Sequence, residues 1–206
     1  MLTPRRSLGQ SQVVTLVLIM GIMVTLVTGA YLWGKPLVEK QTDTVKIDNA
    51  VSLMKEINEK IIEVARHGGK ERLRLNVPGE FRIVENDIND TIEMKFKVSG
   101  TTISTGNDIV LVGGSNNTEG VVGDEPGIVT IRADPLDGSY EITLKVFYRL
   151  LSAGSNEFYK IDLISSGRNH IENNRDFDIV MSTNNYVDKS IPTGTLHLVE
   201  VEVRFE

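Results

Sequence analysis

The chain has no cysteine. That excludes disulfides, thiolate metal ligands and a cysteine nucleophile, and leaves any exported portion dependent on its core and on assembly. Acidic residues are missing from 1–34, where Arg5 and Arg6 are the only charged side chains, so all 28 carboxylates lie beyond Gly34. Taking those two arginines from the net charge of −6 leaves −8 for residues 35–206. Such a balance argues against a nucleic-acid footprint, which needs clustered Lys and Arg.

Histidine is scarce. His67, His170 and His197 have no mutual helix or strand spacing suited to a metal. His67 falls in a helix's last turn, where positive charge suits the macrodipole. Alternation points His197 outward between Leu196 and Leu198. There is no G-x-S-x-G elbow, P-loop or His-Glu-x-x-His pattern. Asp87, Asp90, Asp124, Glu125, Asp134 and Asp137 lie in predicted loops without EF-hand spacing. The residues therefore offer no catalytic group, no metal ligand set and no cofactor site, and the chain does not read as an enzyme.

What is present is a long apolar run. Val13 to Trp33 carries no charge, and at 1.5 Å per residue it spans roughly 31 Å, matching a hydrocarbon core of about 30 Å. Tyr31 and Trp33 stand at its far end, where amphipathic rings prefer the headgroups. A transmembrane helix is predicted over 10–34, after a basic leader of residues 1–9. Arg5 and Arg6 keep the N-terminus cytoplasmic by the positive-inside rule and place the remainder outside. The alternative is a secretory signal cleaved after Thr28-Gly29-Ala30; against it, the apolar run continues through Tyr31, Leu32 and Trp33. Gly21, Thr25 and Gly29 recur every four residues and form a small-residue seam on which another helix could pack closely.

Pro36 lacks an amide hydrogen and disfavours α-geometry at Lys35, predicting a kink or a fresh helix start. Beyond it Val45, Ile47, Val51, Met54, Ile57, Ile61 and Val64 recur mostly three or four apart between charged residues, which predicts an amphipathic helical stalk over 35–69. Gly68-Gly69 supplies its end. The apolar period then changes to two. Leu73 to Val77, Ile92 to Val98, Tyr140 to Leu150, Phe158 to Leu163 and Leu196 to Phe205 alternate, the last slipping phase near Leu198 and Val199, as a β-bulge there would produce. Residues 104–127 and 165–178 read as surface loops. Residues 70–206 are thus an extracytoplasmic β-rich domain, and the chain is α+β, a long N-terminal helix followed by an antiparallel β-sandwich-like domain. Asn89-Asp90-Thr91 and Asn116-Asn117-Thr118 fit the glycosylation sequon, making Asn89 and Asn116 the acceptors.

The order of parts resembles a known family. Arg5-Arg6-Ser7-Leu8-Gly9 is followed by Gln10-Ser11-Gln12, then the apolar helix, an amphipathic extension and a β-rich head. This layout is similar to type IV pilin-like proteins, particularly the archaeal branch of pilins and archaellins. Leu8 stands where archaeal processing sites usually place a basic residue, and Val13 and Val14 follow Gln12 where many pilins carry glutamate. The resemblance implies cleavage by a prepilin peptidase between Gly9 and Gln10. It also implies partners: the membrane, copies of the chain or related pilins, and filament assembly machinery. The function implied is a structural or accessory subunit of a surface filament serving adhesion, motility or assembly. The alternative is a permanently anchored extracytoplasmic binding module, such as a stator-like component of the archaellum.

Overall fold

The computed structural model describes residues 8–85, 90–114, 119–154, 156–173 and 177–206, with side chains for all of these except 8–11, 173 and 184. One helix is followed by twelve strands among the described residues, an α+β chain. By internal contacts it divides into two compact units, one ending at Thr42 and one running from Asp43 to Glu206.

Helix α1 runs without interruption from Leu8 to His67 and contains Pro36. The fresh helix start expected at Pro36 is therefore absent. Proline at this point removes one backbone bond, the one its N–H would have given to the Leu32 carbonyl four residues back. The side chains around it are exposed, so that carbonyl is not sealed in a core. From Val13 to Trp33 the helix is apolar on every side, which is the composition of a helix that lipid or other helices must surround. From Ala50 the pattern is one-sided. Ala50, Leu53, Met54, Ile57, Ile61, Val64 and Ala65 are buried at spacings of three and four, while Glu56, Glu59 and Glu63 stay outside. The helix ends where Gly68 adopts φ +72° and its N–H bonds the Val64 carbonyl at 2.9 Å, the left-handed stop that glycine alone adopts without a Cβ penalty.

Two six-stranded sheets follow. The first has the order β1 (Lys70–Leu75), β11 (Phe177–Ile191), β12 (Gly194–Phe205), β9 (Glu157–Ser165), β8 (Leu150–Gly154), β5 (Glu119–Val121). The second has the order β10 (His170–Asn173), β2 (Gly79–Val84), β3 (Thr91–Val98), β7 (Ser139–Tyr148), β6 (Gly127–Leu136), β4 (Ile109–Val112). The second sheet is antiparallel throughout. The first is mixed, because β12 pairs β9, and β5 pairs β8, in parallel. The all-antiparallel expectation holds for one sheet only.

Three further expectations are corrected. The stretches 104–127 and 165–178 are not wholly loops, since they hold β4, β5, β10 and the starts of β6 and β11. The alternating run from Tyr140 to Leu150 is two strands: it breaks at Arg149, where β7 leaves the second sheet and β8 joins the first. The extra residue near the C-terminus sits in β11, where the register shifts between Thr183 and Asn185, whereas β12 pairs β9 without a break from Thr195 to Val203. The apolar phase of β12 slips because residues on both of its faces are apolar. Val199, Val201, Val203 and Phe205 lie on the core side, and Leu198, opposite Val187 on the other face, is itself buried.

Helix residues 50–65 and both sheets contribute to one apolar core. Phe81 of the second sheet and Phe205 of the first meet edge to face with centroids 6.5 Å apart, an arrangement favoured by the ring quadrupoles. The helix is also tied by polar contacts. Lys60 pairs Glu63 at 3.0 Å and Glu71 of β1 at 3.4 Å, and Thr183 Oγ1 donates to the Val64 carbonyl at 2.8 Å. Where β6 begins, it meets the helix too closely for a side chain. A Cβ on Gly127 would lie 1.8 Å from Oδ1 of the buried Asn58. Gly127→Ala should therefore lower stability by about 1–3 kcal/mol through overpacking, read as a fall in urea midpoint at unchanged m-value.

Candidate functional site

The feature most remote from an ordinary globular surface is the apolar helix. Its large side chains from Val13 to Trp33 range from 51% exposed at Ile19 to 78% at Trp33. This is one helix long and apolar enough to cross a membrane, and none of its apolar window is buried within the chain. A contiguous apolar surface of this extent does not stay in water at little cost; at about 25 cal/mol per Å² it is driven toward lipid or another apolar partner.

Of the three seam positions, Gly21 and Thr25 line one shallow groove of about 330 Å³ together with Val17, Leu18, Ile22 and Leu26; Gly29 is not among its lining. The Thr25 hydroxyl donates to the Gly21 carbonyl at 2.8 Å, so it is satisfied within the helix and presents its methyl group outward as apolar surface. An added Cβ at Gly21 or Gly29 would meet nothing within 4 Å. Gly9 and Gln10 fall within α1. The acceptors Asn89 and Asn116, with Asp87, lie outside the described residues.

The Asp43–Glu206 unit carries a second candidate, a groove of about 340 Å³ beside the last turn of α1. Ile161, Tyr159 and Val199 of the first sheet line it, with Ala65, Leu151 and Pro126. Its neighbouring loop is held by Arg149, which is buried and donates from Nε to the Glu125 carbonyl at 3.0 Å and from its backbone N–H to the Pro126 carbonyl at 3.1 Å. Asp124 braces the same loop by accepting the Val121 N–H at 3.0 Å. The groove lies at the small end of the range that holds small ligands. Arg66, Asp124 and Lys160 add charged groups to its lining.

His197 belongs to this end of the sheet. It shares strand parity with Val199 and Val201 but is not part of the core: its side chain is 29% exposed and that of its partner Asp188 70%. Its ring stacks on Tyr159 with centroids 4.7 Å apart, and Nδ1 lies 2.7 Å from Asp188 Oδ1. His67 ends α1, and His170 Nδ1 is 3.4 Å from Glu80. The three histidines are not brought together, and no group of three or more His, Asp or Glu arranged for a metal occurs among the described residues.

Two buried polar groups near the groove are unmatched. Asn58 Oδ1 and the Tyr148 hydroxyl have no hydrogen-bond partner. Burial, and then the field of Glu125, push the Tyr148 phenol well above its ordinary value, so it stays neutral. A buried donor without an acceptor costs about 1–3 kcal/mol. Tyr148→Phe should therefore leave stability unchanged or raise it by about 1 kcal/mol, where removal of a useful hydrogen bond would lower it; a thermal melt decides.

Sequence reasoning missed Asp43. This helix residue is buried, and its Oδ2 accepts from Ser99 N–H at 2.8 Å, Ser99 Oγ at 2.5 Å and Gly100 N–H at 3.3 Å, with Lys46 Nζ 3.8 Å from Oδ1. Burial opposes ionisation, but these hydrogen bonds and the Lys46 charge outweigh it and hold the carboxyl below its ordinary 3.8. A lowered folded value means that the unfolded chain binds the proton first. The stabilisation is complete above pH 3.8 and is lost as pH falls through the lowered value. The stability difference between wild type and Asp43→Asn should be constant from pH 7 to 5 and shrink below pH 4, as urea titrations would show. Nothing local marks Asp43, because its partners lie 56 and 57 residues away.

Compared with protein-family models, with curated proteins and with solved structures, the chain matches none.

Proposed function

We propose that this chain is a membrane-inserted subunit of a type IV pilus-like surface filament, structural or accessory, with its N-terminus cytoplasmic and its β-rich unit outside. The observation that supports this most is that one unbroken helix has two kinds of surface. It is apolar on every side from Val13 to Trp33, and from Ala50 it supplies core residues to the β-rich unit. A helix of this kind suits a subunit that waits in lipid and then exchanges lipid for the helices of its neighbours, with the two sheets forming a sandwich-like head on the outside. Gly21 and Thr25 would allow close approach of helices where apolar burial alone gives no net drive. Processing would fall between Gly9 and Gln10, and Asn89 and Asn116 would be exposed to glycosylation.

N-terminal sequencing of the native protein tests the proposal. A chain beginning at Gln10 and recovered in sheared filaments supports it; a chain that keeps Met1 and stays with the membrane argues against it. The Gly21→Leu, Gly29→Leu double variant adds a second readout. A Cβ added at either position meets nothing within 4 Å, so insertion should persist while filament assembly falls. Unchanged assembly would remove the seam from the mechanism.

A second reading, a permanently anchored binding module, is favoured by the groove between Ala65 and Val199. It predicts retention in the membrane with the leader intact, and loss of binding when Val199→Lys fills the groove.

A further inference from the structure

Asp43 is the first residue of the β-rich unit, and it is attached by contacts unlike those that follow it. From Ala50 onward the helix is held by core packing. Between Asp43 and Ala50 only Lys46 and Ile47 are partly covered, Ile47 against the edge of the core; Thr44, Val45, Asp48 and Asn49 are exposed. The outermost attachment is thus a single carboxylate, gripped by the Ser99 N–H, the Ser99 hydroxyl and the Gly100 N–H at the end of β3.

We propose that the Asp43–Ser99–Gly100 contact is a releasable strap, which fixes the point where α1 leaves the β-rich unit and opens without unfolding the core. Hydrogen bonds are short-ranged and few here, so they break together. The apolar contacts from Ala50 onward persist when they do. Opening loosens residues 43–49, about 10 Å of helix at 1.5 Å per residue, and leaves the half-buried Ile47 as their remaining contact with the core. Tension on the helix from the apolar segment would meet this strap before it meets the core. The inference does not depend on the filament reading, since any anchor that holds residues 13–33 loads the same contact.

Hydrogen exchange on the full-length chain in detergent micelles tests it, comparing wild type with Asp43→Asn and with Ser99→Ala. Losing charge-assisted hydrogen bonds should accelerate exchange over 43–49 by about ten-fold or more. Amides of 53–64 should keep their wild-type rates in the same samples, which certifies that the core is folded. Trypsin cleavage after Lys46 should rise in parallel. Unaltered exchange at 43–49 would overturn the strap. Equal acceleration of 43–49 and 53–64 would overturn it too, since Asp43 would then be supporting global stability. Acceleration confined to 99–104 would do the same, reducing Asp43 to a cap on that turn.

Discussion

Ile57→Asp should leave the β-rich unit unfolded at neutral pH. Ile57 has no exposed surface and sits in the core to which α1 and both sheets contribute. Its replacement removes a side chain whose full burial is worth roughly 1.5–3 kcal/mol. It also puts a carboxylate where it has no positive partner, and breaking a buried pair to that same end costs about 3–5 kcal/mol. The combined loss approaches the whole stability of an ordinary domain, about 5–15 kcal/mol. Loss of near-ultraviolet circular dichroism and of amide protection across the sheets is the expected result. Ile57→Val, which deletes one methylene group, should cost only about 0.5–1.5 kcal/mol and keep the fold. A folded Ile57→Asp would mean that the helix is an accessory to the sheets and not part of their core.

The second large effect concerns the other end of the same helix. Met20 and Val24 lie near the middle of the apolar run, at 59% and 66% exposure. Arginine at a helix centre disfavours insertion by about 2.5–3.5 kcal/mol per residue, so Met20→Arg with Val24→Arg should remove roughly 5–7 kcal/mol of insertion free energy. Neither position contributes to the core of the β-rich unit, so that unit should fold as before. The double variant should move from the membrane fraction to the soluble or aggregated fraction while retaining its β-sheet circular dichroism. Paired Met20→Leu and Val24→Leu changes should leave partitioning as it was.

How much of this was legible in the sequence depends on whether the signal was local. The apolar helix was, because lipid demands an uninterrupted run. Strands β3 and β9 were, because each alternates between a buried and a wetter face. Strand β6 was not: Ile128, Val129, Thr130 and Ile131 are all buried, so the period of two disappears. Strand β11 hid for a different reason. Past Met181 its residues turn largely polar, and backbone pairing to β12 along Asn185–Ile191 defines it there. The parallel pairing of β9 with β12 leaves no local trace, since the two strands are joined through β10 and β11. The candidate sites divide in the same way. The Gly21–Thr25 groove follows from a four-residue spacing on one helix. The Asp43 contact and the Tyr159–His197 stack are made between residues distant in the chain.

The account rests on residues 13–33 choosing an apolar environment while Asp43–Glu206 stays in water. Alkaline carbonate extraction of cells producing the untagged full-length chain tests this directly. The chain should remain with the membrane pellet or with sheared surface filaments, and should be released by detergent. Recovery in the carbonate supernatant as a soluble monomer would contradict the account.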